Sequence, residues 1–329
     1  MPVPVATVGY DHSHFPTRDW GLFSPAVAIR TRTTKDLTMT PLRPLAAATL
    51  SIAALALAAC GSSDNGSSTS GTGSASSAQA NACTKGSLAL KNAGHLTVAT
   101  DKPAYPPYFL DDKPENGKGF ESAVAYAIAK QLGFGPSEVK WVVEPFNSSY
   151  APGPKNFDFD VNQISITDKR KRAVDFSAPY YTAPQAVVVP KGSKLAGISS
   201  LSELKDATIG VQIGTTSLDA VQSVVQPSKQ TKVFNDSNDV VTALKQNQAD
   251  AVVTDLPTAF YITAAQVPGS KIVGQFEAPG GDQWGALLEK DSKLTPCVSK
   301  AVDELRQSGQ LETITQKWMG AAAGAPKLQ

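Results

Sequence analysis

The chain has 329 residues, with 30 Lys and Arg against 29 Asp and Glu, a formal net charge of +1 and 41% hydrophobic residues. That balance excludes an electrostatic footprint for nucleic acid, and the apolar content suits a folded core rather than disorder. Of three histidines, His12 and His14 lie in a segment read below as missing from the mature protein, so any metal centre or serine–histidine triad would rest on His95 alone.

In chain order, residues 1–38 place Asp11, Asp19, Asp36 and four basic residues ahead of any secretion signal. They are read as a start-site error, with translation beginning at Met39. Residues 39–59 read as a lipoprotein signal peptide. Arg43 precedes a 15-residue weakly apolar run at 45–59, short of the roughly 20 residues a membrane-spanning helix needs. Leu57-Ala58-Ala59-Cys60-Gly61 resembles a bacterial lipobox, in which the cysteine is lipidated and becomes the first mature residue. The other reading is an alanine-rich core helix ending in a chance cysteine. Residues 60–82 form a tether, because 18 of the 22 residues at 61–82 are Ser, Gly, Thr or Ala and supply no apolar face. Such a tether typically reaches roughly 25 Å. Without residues 1–59 the net charge is −1. Cys83 and Cys297 are the remaining cysteines, and an exported domain favours one bridge between them over two free thiols.

From residue 95 the pattern alternates. Strands are expected at 95–100, 138–143, 158–163, 185–190, 207–212, 232–234, 249–254, 271–276 and 284–290. A helix over 119–133 carries Phe120, Val124, Ile128 and Leu132 on one stripe. Further helices are expected after Thr167 as N-cap and at 217–225, 239–248, 296–308 and 310–319. The alternation implies an α/β fold with open sheets, and the inner unit bracketed by 185–190 and 277–285 implies two lobes joined by two hinge crossovers. The boundaries are 83–187 with 283–320 for the first lobe, 188–282 for the second, and 321–329 as a tail. Ligands in open α/β sheets bind beyond the carboxyl ends of the strands, which here means the cleft between lobes.

The segments TVATDKPAYPPY (97–108), GFESAVAYAIAKQLG (119–133), SITDKRKRAVDFSAPYY (165–181), VQIGTTS (211–217), ADAVVTDLP (249–257) and QSGQLETITQKWMG (307–320) carry a resemblance. Together, residues 93 to 320 resemble the extracellular solute-binding proteins of polar amino-acid ABC transporters, family 3 type. The resemblance implies a two-lobed periplasmic-binding-protein (Venus-flytrap) fold. It implies a monomer that captures an amino acid by hinge closure and delivers it to a membrane permease. No cofactor, metal or catalytic residue is expected. The implied location is the outer face of the bacterial cytoplasmic membrane, held by lipid on Cys60.

Residue by residue, Arg170 matches the carboxylate-binding arginine, and a guanidinium suits a carboxylate because its donors form a planar fork. Without the motif it reads equally as a solvated charge beside Lys169, Lys171 and Arg172. Thr216, with Thr215 beside it, matches a second carboxylate donor, although either threonine would also serve as an ordinary N-cap. Asp255 matches the ammonium acceptor. Ser165 and the carbonyl of Gln163 complete the backbone recognition. Tyr105 and Phe146 match aromatic walls, while Asp101 and Gln212 match contacts to the ligand side chain. A glutamine-like ligand ranks first and a cationic one second, with Asp101 and Glu144 as partners. The chain departs from the family at an extra residue between Asp101 and Tyr105, at Gln163, and at 147–160, where a loop is expected in place of a short helix. Two other readings remain at this stage: a sensing lipoprotein without a transporter, and a dehydratase on the same fold.

Overall fold

A strand covered on both faces reads as a near-continuous apolar run, and Leu96–Thr100 (β1), with only two threonines among its five residues, is buried throughout. In the computed structural model, which describes residues 83–320 and 324–329, β1 lies at the heart of a five-stranded sheet. Val139–Val143 (β2) and Phe159–Asp160 (β3) run parallel to it on either side. Gln283–Glu289 (β10) pairs antiparallel with β3 and with Val174–Thr182 (β4), giving the order β2-β1-β3-β10-β4.

The second sheet repeats the scheme. Ile209–Gln212 (β6) runs parallel to Lys232–Phe234 (β7) and Ala251–Asp255 (β8). Gln185–Val189 (β5) pairs antiparallel with β8 and with Lys271–Phe276 (β9), giving β7-β6-β8-β5-β9. The chain thus forms the two-lobed α/β fold expected of it. Alternation along β5 sends Val187 and Val189 into one apolar cluster and Ala186 and Val188 into another, so both faces of this sheet are covered.

Two boundaries differ from expectation. Residues 185–187 belong to the second lobe, because β5 pairs only within the second sheet, and the first crossover is Ala183–Pro184 rather than 187/188. An apolar run does not say which sheet it will join; its pairing partners decide. The second crossover spans 277–282, and the two touch where Ala183 N–H donates to Asp282 O at 2.8 Å. The expected tail also packs. Leu328 is buried in the second lobe's core, and Gln275 of β9 exchanges backbone bonds with Pro326 and Leu328. β4 carried only the family motif and no strand pattern in the sequence.

Phe120–Gln131 (α1) packs the expected stripe into the first lobe's core with Trp284, Val298 and Leu305. It starts at Gly119, with φ +104°, where a Cβ would lie 2.3 Å from Tyr108 O, so only glycine fits. The other helices are Phe146–Ser149 (α2), Asp168–Lys171 (α3), Thr216–Ala220 (α4), Ser237–Lys245 (α5), Leu256–Tyr261 (α6), Thr295–Gln307 (α7) and Gln310–Met319 (α8). Cys83 and Cys297 are disulfide-bonded, which pins the start of the described chain to α7. Among the described residues no helix is long and apolar enough to cross a membrane. The start-site, signal-peptide, tether and Cys60 expectations lie outside the described residues.

Candidate functional site

The loops following β1, β6 and β8 meet at a cavity of about 370 Å³ between the two sheets, within the usual range for small-molecule sites. Asp101, Tyr105, Phe146, Gln163, Ser165, Arg170, Gln212, Thr215, Thr216 and Asp255 all line it.

Arg170 owes its position to a one-turn helix. Thr167 Oγ1 accepts from Arg170 N–H at 3.2 Å, capping α3. In this turn Lys169, Lys171 and Arg172 are exposed while Arg170 is only 6% exposed, which removes the solvated-charge reading. Its Nη1 donates to Ser165 O at 2.7 Å and its Nη2 to Gly214 O at 3.0 Å. The guanidinium lies 4.7 Å from the Tyr150 ring centroid and 5.5 Å from that of Phe146. Burial pulls its pKa below the ordinary arginine value, yet a guanidinium remains a cation in a protein.

The lobes also meet through hydroxyls. Ser165 Oγ and Thr216 Oγ1 are 3.2 Å apart, and Tyr108 Oη is 2.8 Å from Thr258 Oγ1. Thr215 is the N-cap of α4, accepting from Leu218 N–H and donating to Gln212 O, which leaves Thr216 to face the first lobe. The cap of α4 is therefore Thr215, and Thr216 is the threonine that meets Ser165.

Gln163 adopts φ +49°, and its side chain is engaged by the buried Glu121. Its N–H donates to Glu121 Oε1 at 2.7 Å and its Nε2 bonds Glu121 Oε2. Glu121 also accepts from Tyr180 Oη and is fully buried, which pushes its carboxyl up to about 7. The sequence reading placed Glu121 on a helix without giving it a role.

Asp101 accepts from Lys102 N–H at 2.6 Å and Phe146 N–H at 3.2 Å. Burial raises its pKa against those bonds, with Asp236 and Glu144 adding repulsion. Tyr105 is pushed up to about 12 by burial and then by Asp236 of the second lobe. Gln212 Oε1 accepts from Ser237 Oγ at 2.6 Å. Asp255 opens onto the cavity but is otherwise enclosed, and it accepts from Gln185 Nε2 at 2.7 Å. Burial, then Asp282, raises its pKa.

Two expectations need correction. Phe146 begins the helix α2, so 146–149 is not the loop expected from 147 onward; Pro145 is its N-cap, and the Pro145 carbonyl accepts from the N–H groups of Ser148 and Ser149. Glu144 accepts from Ser148 Oγ instead of lining the cavity, and Asp236, which caps α5, lines it in Glu144's place. Tyr150 and Asp236 were missed because neither has a local signal that aims it at the cleft. Among the described residues no cluster of three or more metal-ligating side chains occurs.

Chemically, one buried cation flanked by hydroxyls from both lobes suits an anion such as a carboxylate, and a carboxylate in the same cavity suits an ammonium. Residues 96–321 match the family of bacterial extracellular solute-binding proteins, family 3. The chain belongs to that family. Among family members, the L-cystine-binding protein TcyJ of Escherichia coli is 28% identical over 70% of this chain and 85% of its own length. The arginine-binding extracellular protein ArtP of Bacillus subtilis is 31% identical over 62% of this chain and 78% of its own. An ancestral arginine-binding protein bound to glutamine matches with 36% identity and a TM-score of 0.58, covering 70% of this chain and 99% of that structure. An ancestral arginine-binding protein bound to arginine matches with 35% identity and a TM-score of 0.57, covering 69% of this chain and 99% of that structure. This solute-binding protein therefore shares the periplasmic-binding-protein fold.

Proposed function

We propose that this solute-binding protein captures a free amino acid in its cleft and presents it to an ABC-transporter permease, without catalysing a reaction. Arg170 and Thr216 hold the α-carboxylate, Ser165 and the carbonyl of Gln163 complete the backbone recognition, and Asp255 accepts the α-ammonium. Tyr105 and Phe146 flank the side chain, with Asp101 and Gln212 in polar contact with it. The observation that carries the reading is that buried Arg170, bonded to both lobes, shares one cavity with the Ser165–Thr216 pair and Asp255. Only a closed cleft engages all of these groups, so ligand shifts the population toward closure.

A cationic side chain moves ahead of a glutamine-like one. Asp101 and Asp236 both line the cavity, and the lining Lys102 is drawn to Asp112 at 3.7 Å. Arginine and glutamine, each bound by an ancestral relative, are the first probes. The protein is unfolded and refolded to strip ligand, then heated with each amino acid at about 1 mM. A micromolar ligand stabilises by about 4 kcal/mol at that excess, a rise of roughly 8–16 °C for a chain this size. A flat response to every amino acid would sink the reading.

Lipidation at Cys60 is part of the same proposal. Fatty-acid labelling of the protein in a bacterial host is expected to disappear in Cys60→Ser. Labelling that persists would remove the anchor.

A further inference from the structure

We propose that Asp282, in the second crossover, is a positioning residue for Asp255: acting through Gln185, it ties the ammonium-accepting carboxylate to the hinge, and its nearby charge keeps on Asp255 a proton that leaves when the ligand's ammonium arrives. This rests on the ammonium-acceptor role proposed above for Asp255.

The geometry is specific. Gln185 is the first residue of β5, immediately past the first crossover, and is fully buried. Its Nε2 donates to Asp255 Oδ1 and to Asp282 Oδ2, each at 2.7 Å. Both amide hydrogens are thereby used, and the two carboxylate oxygens lie at most twice 2.7 Å apart. Asp282 is 1% exposed, and neither its Oδ1 nor Gln185 Oε1 has a hydrogen-bond partner. The backbone of Asp282 also accepts from Ala183 N–H, so the unit joins both crossovers to the binding strand β8.

Two enclosed carboxylates this close repel strongly when both are ionised. The other groups acting on Asp255 are Arg170 and Glu121, with the hydroxyls of Tyr108 and Tyr181. Arg170 is the sole cation among them, and its bonds go to the carbonyls of Ser165 and Gly214. With Asp282 beside it, Asp255 in the empty cleft therefore retains a proton, consistent with a carboxyl held well above the usual range. A ligand ammonium supplies the missing positive charge. The O–H bond of the Asp255 carboxyl then breaks, its proton passes to buffer, and the Asp255 carboxylate faces the ammonium.

Calorimetry of the whole protein with L-arginine, and with L-glutamine as second probe, tests this in buffers of different ionisation enthalpy. Release of about one proton per ligand at neutral pH is expected, with affinity rising between about pH 6 and about pH 8. Asp282→Asn keeps an acceptor for Gln185 and is expected to lose most of that release and flatten the pH profile. A residue serving only as packing would change affinity and leave the proton count alone. Wild-type heat without buffer dependence overturns the proposal by itself, as does unchanged release in Asp282→Asn. If that variant does not fold, the wild-type proton count decides. No heat with either amino acid overturns the amino-acid reading, and this proposal with it.

Discussion

The Nη2 of Arg170, in the first lobe, donates to the carbonyl oxygen of Gly214, in the second, at 3.0 Å. The same guanidinium holds Ser165 O through Nη1 at 2.7 Å. A single cation therefore organises both walls of the cleft. Arg170→Lys keeps the charge but loses the fork, and a hydrogen bond to a charged group contributes about 1.5–3 kcal/mol. Calorimetry is expected to show amino-acid binding weakened about 10- to 100-fold in Arg170→Lys and undetectable in Arg170→Ala, with far-UV circular dichroism unchanged. Wild-type affinity in Arg170→Ala would take the residue out of the site.

Gly214 itself has φ +73°, and a Cβ there would sit 2.2 Å from Tyr150 Oη and 3.1 Å from Asn147 Oδ1, both on the facing lobe. Gly214→Ala adds left-handed strain of about 1 kcal/mol and forces Tyr150 aside during closure. Ligand affinity is expected to fall by about tenfold, one power of ten being about 1.4 kcal/mol. The melting temperature of the ligand-free protein should change little. A large drop in that temperature with unchanged affinity would contradict the closure argument.

Asp236 caps α5, accepting from Asp239 N–H at 3.0 Å, and it lines the cavity. Asn preserves the cap and removes only the charge. Asp236→Asn is therefore expected to weaken arginine binding severalfold while leaving glutamine binding nearly unchanged. Equal losses for both ligands would show that the charge does not select the side chain.

Glu121 makes stability depend on pH. Its carboxyl rises from 4.5 to about 7, so the stabilising protonated form is complete below about 4.5 and is lost as pH rises through about 7. That difference corresponds to about 3 kcal/mol lost across the window. The buried Asp160, also raised by burial, acts in the same direction. Urea unfolding near pH 4.5 and pH 8 should show a smaller pH difference in Glu121→Gln than in wild type. Identical differences would mean that Glu121 ionises freely in the folded protein.

The disulfide joins residues 214 apart in sequence. Closing so long a loop is worth about 5 kcal/mol in the chain-entropy model, and measured values often fall below it. Cys83→Ser with Cys297→Ser is expected to lower the melting temperature by roughly 5–15 °C, at about 2–4 °C per kcal/mol. The cleft lies on other elements, so ligand affinity at low temperature should survive. Loss of binding with an unchanged melting temperature would reverse the assignment of the bridge as a stabilising element.

Local pattern alone made much of this protein legible. The stripe Phe120, Val124, Ile128 and Leu132 marks one helix, and the apolar run 186–189 of β5 marks a strand buried on both faces, because periodicity follows from which side chains must leave water. The Thr167 cap is likewise local chemistry, a hydroxyl three residues before the N–H it accepts from. The partition of β5 into the second lobe was not legible, since an apolar strand satisfies its side chains in either sheet and only long-range pairing to β8 and β9 decides. The same holds for the site. Arg170 shares its turn with three other basic residues, and the sequence alone does not say which one is buried. Gln185, Asp255 and Asp282 are separated by 70 and 97 residues from one end of their hydrogen-bonded unit to the others. Charges placed together by chain crossovers leave no periodic trace, because proximity across a hinge depends on topology and not on spacing along the chain.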